Sequence, residues 1–154
     1  MIPVALQVEQ LPLTLLVGCD VPEVLQANGY DLPELMQVAR LPDGFLVRTG
    51  KDEFLLQSSK PLVANLPSCW TYPRVDQAFV LQGEHWREVM AYICHMDMGQ
   101  VKTDDWLMMS VAGVNAWARV LEEGLLLGCD PSLGEYLHHT LNETVNRVNE
   151  KFIK

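Results

Sequence analysis

The feature that most restricts the fold of this chain is an internal echo. Leu13-Thr14-Leu15-Leu16-Val17-Gly18 and Ala78-Phe79-Val80-Leu81-Gln82-Gly83 are both short apolar runs closed by a glycine. Such a run reads as a buried strand with a tight exit. The residues that follow also match in order. Glu23, Val24 and Leu25 stand where Glu88, Val89 and Met90 stand, and after one inserted residue Asp31 and Leu32 match Asp97 and Met98. Each of these segments is expected to be a short helix. Pro22 suits a first helical turn, and Val89, Met90, Ile93 and Cys94 give the 3,4 spacing of an inward stripe.

The correspondence continues through three strands. Gln37–Arg40 pairs with Trp106–Ser110, Phe45–Thr49 with Val114–Arg119, and Glu53–Gln57 with Glu123–Gly128. Pro42-Asp43-Gly44 and Ala112-Gly113 supply turns between them. A helix is expected to close each half: a short one over Lys60–Leu66, and a long one after Asp130-Pro131. In the long one, Ser132 and Glu135 fit a capping box. Leu133, Tyr136, Leu137, Leu141, Val145 and Val148 fall on one helical face. The pattern predicts an α+β fold of two tandem β-α-β-β-β-α repeats, ferredoxin-like halves within a single domain over residues 1–154. The repeats span about 11–66 and 78–150. The linker at about 67–77 belongs to a proline-rich stretch that holds Pro61, Pro67, Trp70 and Pro73.

Charge and cysteine usage exclude several classes of function. The net charge is −9, and the 11 basic residues are scattered. An acidic surface repels phosphate, so nucleic acid and anionic membrane surfaces are not expected partners. No apolar run approaches the roughly 18 residues that span a bilayer. No basic residue occurs from Met1 to Asp20, so a secretory signal is not read there and a cytoplasmic location is expected. Cys19, Cys69, Cys94 and Cys129 form no Cys-x-x-Cys pair and read as reduced, mostly buried thiols.

Reaction chemistry finds little to stand on. Gly18 and Gly83 stand alone, without the further glycines of a nucleotide loop. Cys94 and His95 are neighbours on a helix and point about 100° apart, so they do not share a tetrahedral ion; His138 and His139 have the same fault. Cys19-Asp20 and Cys129-Asp130 have no adjacent basic group to favour a thiolate. These cysteines read as small buried hydrophobes, each followed by an aspartate that opens a turn or caps a helix. No catalytic residue and no metal ligand is assigned.

A family resemblance then emerges from particular residues. Asn28-Gly29-Tyr30-Asp31-Leu32-Pro33, Arg40-Leu41-Pro42-Asp43-Gly44-Phe45-Leu46-Val47 and Asp52-Glu53-Phe54-Leu55-Leu56 resemble the gamma subunits of heterotetrameric sarcosine oxidases. Phe79–Gly83, Ile93–Met98 and the last apolar strand with its helix fit the same family. The likeness covers roughly residues 11 to 142. It implies a fold like the folate-binding domain of aminomethyltransferases. It also implies a structural subunit within an amine-oxidising complex linked to folate one-carbon metabolism. In such complexes FAD, FMN, NAD and tetrahydrofolate sit on the larger alpha and beta subunits, with no cofactor on this chain. Folate-dependent relatives use an aspartate in a closed pocket, which makes Asp97 the folate-pocket candidate. The Lys-Gly-Cys-Tyr motif of some catalytic relatives is absent.

The partner-binding reading has support of its own. Trp70, Tyr72, Trp86 and Trp106 are candidate interface residues, because tryptophan, tyrosine and methionine are enriched at interface cores. Met90, Met96, Met98, Met108 and Met109 crowd the second half. Trp70 stands out, since a large aromatic in a surface loop needs a cover. The expected role is a non-catalytic assembly subunit held by larger flavoprotein subunits. A standalone tetrahydrofolate-binding aminomethyltransferase-like protein and a homo-oligomeric structural protein are the alternatives.

Overall fold

The computed structural model describes residues 4–152. The chain forms two compact units: residues 12–75 make one, and residues up to Leu11 together with those from Asp76 onward make the other. β1 (Ala5–Val17) and β5 (Trp70–Gln82) each contribute residues to both units.

The unit of residues 12–75 contains α1 (Val21–Ala27), β2 (Val38–Leu41), β3 (Gly44–Gly50) and β4 (Glu53–Gln57). Its strands lie in the order β2-β3-β4-β1, and every ladder is antiparallel. Leu16, Phe54 and Leu56 from the strands meet Val21 and Leu25 from α1 in one buried cluster. The helix starts as expected, with Pro22 in its first turn. A proline there removes only an N–H that has no helical partner.

The other unit contains α2 (Trp86–Ile93), β6 (Trp106–Val111), β7 (Val114–Leu121), β8 (Gly124–Cys129), a 3-10 turn at Pro131–Leu133, and α3 (Gly134–Phe152). Its strands are ordered β6-β7-β8-β5, again antiparallel throughout. Each unit thus follows strand, helix, three strands, and places the first strand beside the last. The helix α2 buries Trp86, Val89 and Met90, with Ile93 and Cys94 packed alongside. All six residues of β8 are buried, which explains its unbroken apolar sequence.

The strand exits use one device twice. Gly18 and Gly83 both have φ of 133°, an angle that a side chain makes costly. The β6–β7 hairpin turns on Ala112 (φ 50°) and Gly113 (φ 83°). Positive φ at both central residues matches the right-handed twist of the strands it joins.

The structure corrects the expected elements in three places. Residues 60–66 are not helical. Pro61 and Pro67 restrict the residues before them. Asn28 takes the backbone instead: its Nδ2 donates to Val63 O (2.8 Å) and its Oδ1 accepts Val63 N–H (3.0 Å). Second, the stretch assigned to a linker is half strand, because β5 begins at Trp70. Third, the cap before α3 is Asp130, whose Oδ1 accepts from Ser132 N (2.8 Å) and Ser132 Oγ (2.6 Å). The resulting 3-10 turn rotates Leu133 and Tyr136 out of the apolar stripe, leaving them exposed. Leu137, Leu141, Val145 and Val148 stay buried.

A further clamp holds α3. Asn149 Oδ1 accepts Val4 N–H (3.0 Å) and Asn149 Nδ2 donates to Val4 O (2.9 Å), both in a buried setting. The amide side chain copies the pairing of a neighbouring strand. Leu141→Ala should cost about 2–5 kcal/mol in urea unfolding, as expected for a buried leucine. Leu133→Ala should stay within about 0.5 kcal/mol. Equal losses would contradict the assigned stripe.

Candidate functional site

The first half of β5 supplies the surface that best answers the aromatic signal. Trp70 and Tyr72 are two residues apart on a strand, so they share a face. They are 52% and 53% exposed. The residues between and beyond them, Thr71, Pro73 and Val75, are exposed as well. The strand from Trp70 to Val75 thus shows apolar side chains on both faces. Trp70 rests against Gly18, where an added Cβ would come within 3.1 Å of its Cε3.

Trp86 and Trp106 are corrections to the interface candidates. They are 1% and 2% exposed. Trp86 carries the Arg87 guanidinium over its ring at 4.4 Å and packs into the core of its unit. Trp106 stacks on Trp117, with ring centroids 4.6 Å apart and planes 13° from parallel. Trp117 in turn donates its indole N–H to the buried Asp76 carboxylate at 2.7 Å. Below it lies Gly128, where any Cβ would run into the indole. A buried ring has no surface to offer another molecule. Their apolar sequence neighbours gave no sign of this, since core and interface tryptophans look alike in sequence. Of the methionines, Met90 and Met98 are buried, whereas Met96 and Met108 are exposed.

Asp97 is exposed and follows the end of α2. Its Oδ1 accepts the Gly99 N–H at 2.8 Å, which closes a local turn. His95 is exposed, and His139 meets Glu143 one helical turn on at 3.3 Å. No group of three His, Cys, Asp or Glu side chains that could hold a metal forms among the described residues.

All four cysteines are free, yet they are less uniform than expected: Cys129 is buried, Cys69 and Cys94 are partly buried, and Cys19 is exposed. Cys19 follows the positive-φ Gly18 at a strand exit, which turns the chain to the surface. Burial pushes the Cys69 and Cys129 thiols up, and nearby carboxylates add to it: Asp20 for Cys69, Asp76 and Asp130 for Cys129. Both effects oppose a thiolate at neutral pH.

One polar cluster escaped the sequence reading. The turn residue Asp43 accepts from Ser59 Oγ (2.5 Å) and Ser59 N (2.6 Å), with Ser58 Oγ at 3.3 Å. These bonds hold the Asp43 carboxyl below the usual carboxylate range, the Ser59 hydroxyl contributing most. The group lines an open cleft of about 490 Å³ with Leu13, Gln57, Pro73 and Arg74. Its signal was present, since Pro-Asp-Gly and Ser-Ser are turn formers, but nothing local says that the two turns meet.

No protein-family model matches the chain, and no curated protein sequence matches it. Among solved structures, the chain is similar to a chain of the heterotetrameric sarcosine oxidase from Corynebacterium sp. U-96, a structure in complex with pyrrole 2-carboxylate. The TM-score is 0.76, with 18% sequence identity, over 94% of this chain and 84% of that chain. The resemblance carried by the sequence motifs therefore extends to the fold. Among the described residues, no helix is long and apolar enough to cross a membrane.

The Asp43 cluster makes a pH prediction. The folded carboxyl titrates below its unfolded value, so its contribution is complete above the unfolded pKa and is lost as pH falls through the folded one. Amide exchange at Ser59 and Lys60 should be slower in the native chain than in Asp43→Asn at neutral pH. That difference should shrink on acidification below the ordinary carboxylate range. A difference that grew would contradict the assignment.

Proposed function

We propose that this chain is a non-catalytic assembly subunit of an amine-oxidising flavoenzyme complex linked to folate one-carbon metabolism. The observation that carries the reading is the fold shared with a chain of a heterotetrameric enzyme across 94% of this chain. The exposed aromatic pair Trp70 and Tyr72 supports it from a separate direction, since such side chains form the anchors of interfaces. In this reading the partners are larger flavoprotein subunits, and FAD, FMN, NAD and tetrahydrofolate are bound by them. The complex works in the cytoplasm. The matching element order of the two units supports an origin by duplication of one strand-helix-strand unit.

Co-purification of the full chain with the large flavin-containing subunits encoded alongside it tests the proposal. A stoichiometric complex is expected. A chain that stays alone in their presence, or one that gives strong heat on titration with tetrahydrofolate, would replace it with the standalone folate-binding reading. In the same assay, Trp70→Ala should weaken assembly about 30-fold or more if it is an anchor worth 2 kcal/mol or above. Its melting temperature should hardly move. Trp86→Ala should instead destabilise the chain by about 3–5 kcal/mol, as a buried aromatic does.

A further inference from the structure

We propose that Cys19 and Cys69 form a peroxide-sensitive thiol pair that closes to a disulfide beside Trp70. The placement rests on two short backbone stretches within the unit of residues 12–75. Asp20 N–H donates to Ser68 O at 3.0 Å, and Ser68 N–H donates to Asp20 Oδ2 at 2.9 Å. A Cβ added to Gly18 would meet the Ser68 carbonyl and, at 3.1 Å, Trp70 Cε3. Gly18–Asp20 and Ser68–Trp70 therefore run past each other in opposite directions. Cys19 and Cys69 are the middle residues of the two. Residues opposed in this way have Cα atoms about 4.5–5.5 Å apart, inside the range of about 4.4–6.8 Å that a disulfide spans.

The two thiols suit different roles. Cys19 is exposed and reaches solvent. Cys69 is partly buried against the cluster of Leu16, Val21 and Leu25. Asp20 lies close enough to bear on its titration. Cys69 is thus shielded from direct attack while Cys19 is not. In the reaction, the Cys19 thiolate attacks one oxygen of hydrogen peroxide. The O–O bond breaks, Cys19 becomes a sulfenic acid, and the other oxygen leaves as water after protonation. The Cys69 sulfur then attacks the Cys19 sulfur, the S–O bond breaks, and the second oxygen leaves as water. Two thiols lose two electrons and two protons, and one peroxide becomes two waters. The other pairing available to a partly buried thiol is already taken, because Cys94 Sγ contacts Met109 Sδ at 3.6 Å. The bond would fix the strand exit on which the Trp70 ring rests, and so join an oxidant signal to the exposed aromatic strand.

The test is oxidation of the full chain with hydrogen peroxide, followed by alkylation of remaining thiols, digestion and mass spectrometry. One peptide pair cross-linked through Cys19 and Cys69 is expected, two hydrogens lighter than the reduced pair. The chain should stay monomeric on a non-reducing gel and lose two of its four thiols. Cys19→Ser and Cys69→Ser should each abolish the cross-link, and Cys94→Ser should leave it. Three outcomes would overturn the proposal: Cys19 over-oxidised while Cys69 remains alkylatable, chains joined to each other through Cys19, or both thiols unreacted.

Discussion

Gly18 and Gly83 hold the same backbone angle, 133°, and the rest of the structure depends on that bend. A strand that leaves its sheet must turn sharply for the next helix to cover the sheet's open face. A residue with a Cβ pays heavily for this angle. Gly18 lets α1 lay Val21 and Leu25 over Leu16 and Phe54. Gly83 lets α2 lay Trp86, Val89 and Met90 over Phe79 and Leu81. Once the face is covered, the three following strands have a core to pack against, and each unit closes with its first strand beside its last.

Much of this was legible. The glycine exits, the two short helices, the hairpin at Ala112-Gly113 and the apolar strand β8 each carry a local signature, and all appear close to the expected positions. What was not legible depends on contacts far apart in sequence. Asn28 takes the backbone of Val63 and so removes a helix that composition favours. Asp130 outcompetes Ser132 as the cap because its carboxylate reaches both the Ser132 amide and hydroxyl. Asp43 gathers Ser58 and Ser59 from another turn. Burial also separates tryptophans that sequence leaves equivalent: Trp86 and Trp106 are core, while Trp70 is half exposed.

These placements bear on function through what each side chain is already doing. The Asp97 carboxylate closes a turn, Asp43 binds a loop, and Asp76 receives the Trp117 indole. Two of the thiols are pushed away from ionisation by burial and by acidic neighbours. Polar groups here serve the fold. The surface left over is the strand from Trp70 to Val75, which shows Trp70 and Tyr72 on one face and Pro73 and Val75 on the other. An apolar strand exposed on both faces is an arrangement that a partner subunit completes.

Iodide quenching of tryptophan fluorescence tests this most directly, because Trp86, Trp106 and Trp117 are buried and Trp70 is not. The isolated chain should show a single quenchable tryptophan, and assembly with its flavin-containing partners should shield it. Quenching that persists unchanged in the assembled complex would contradict the account.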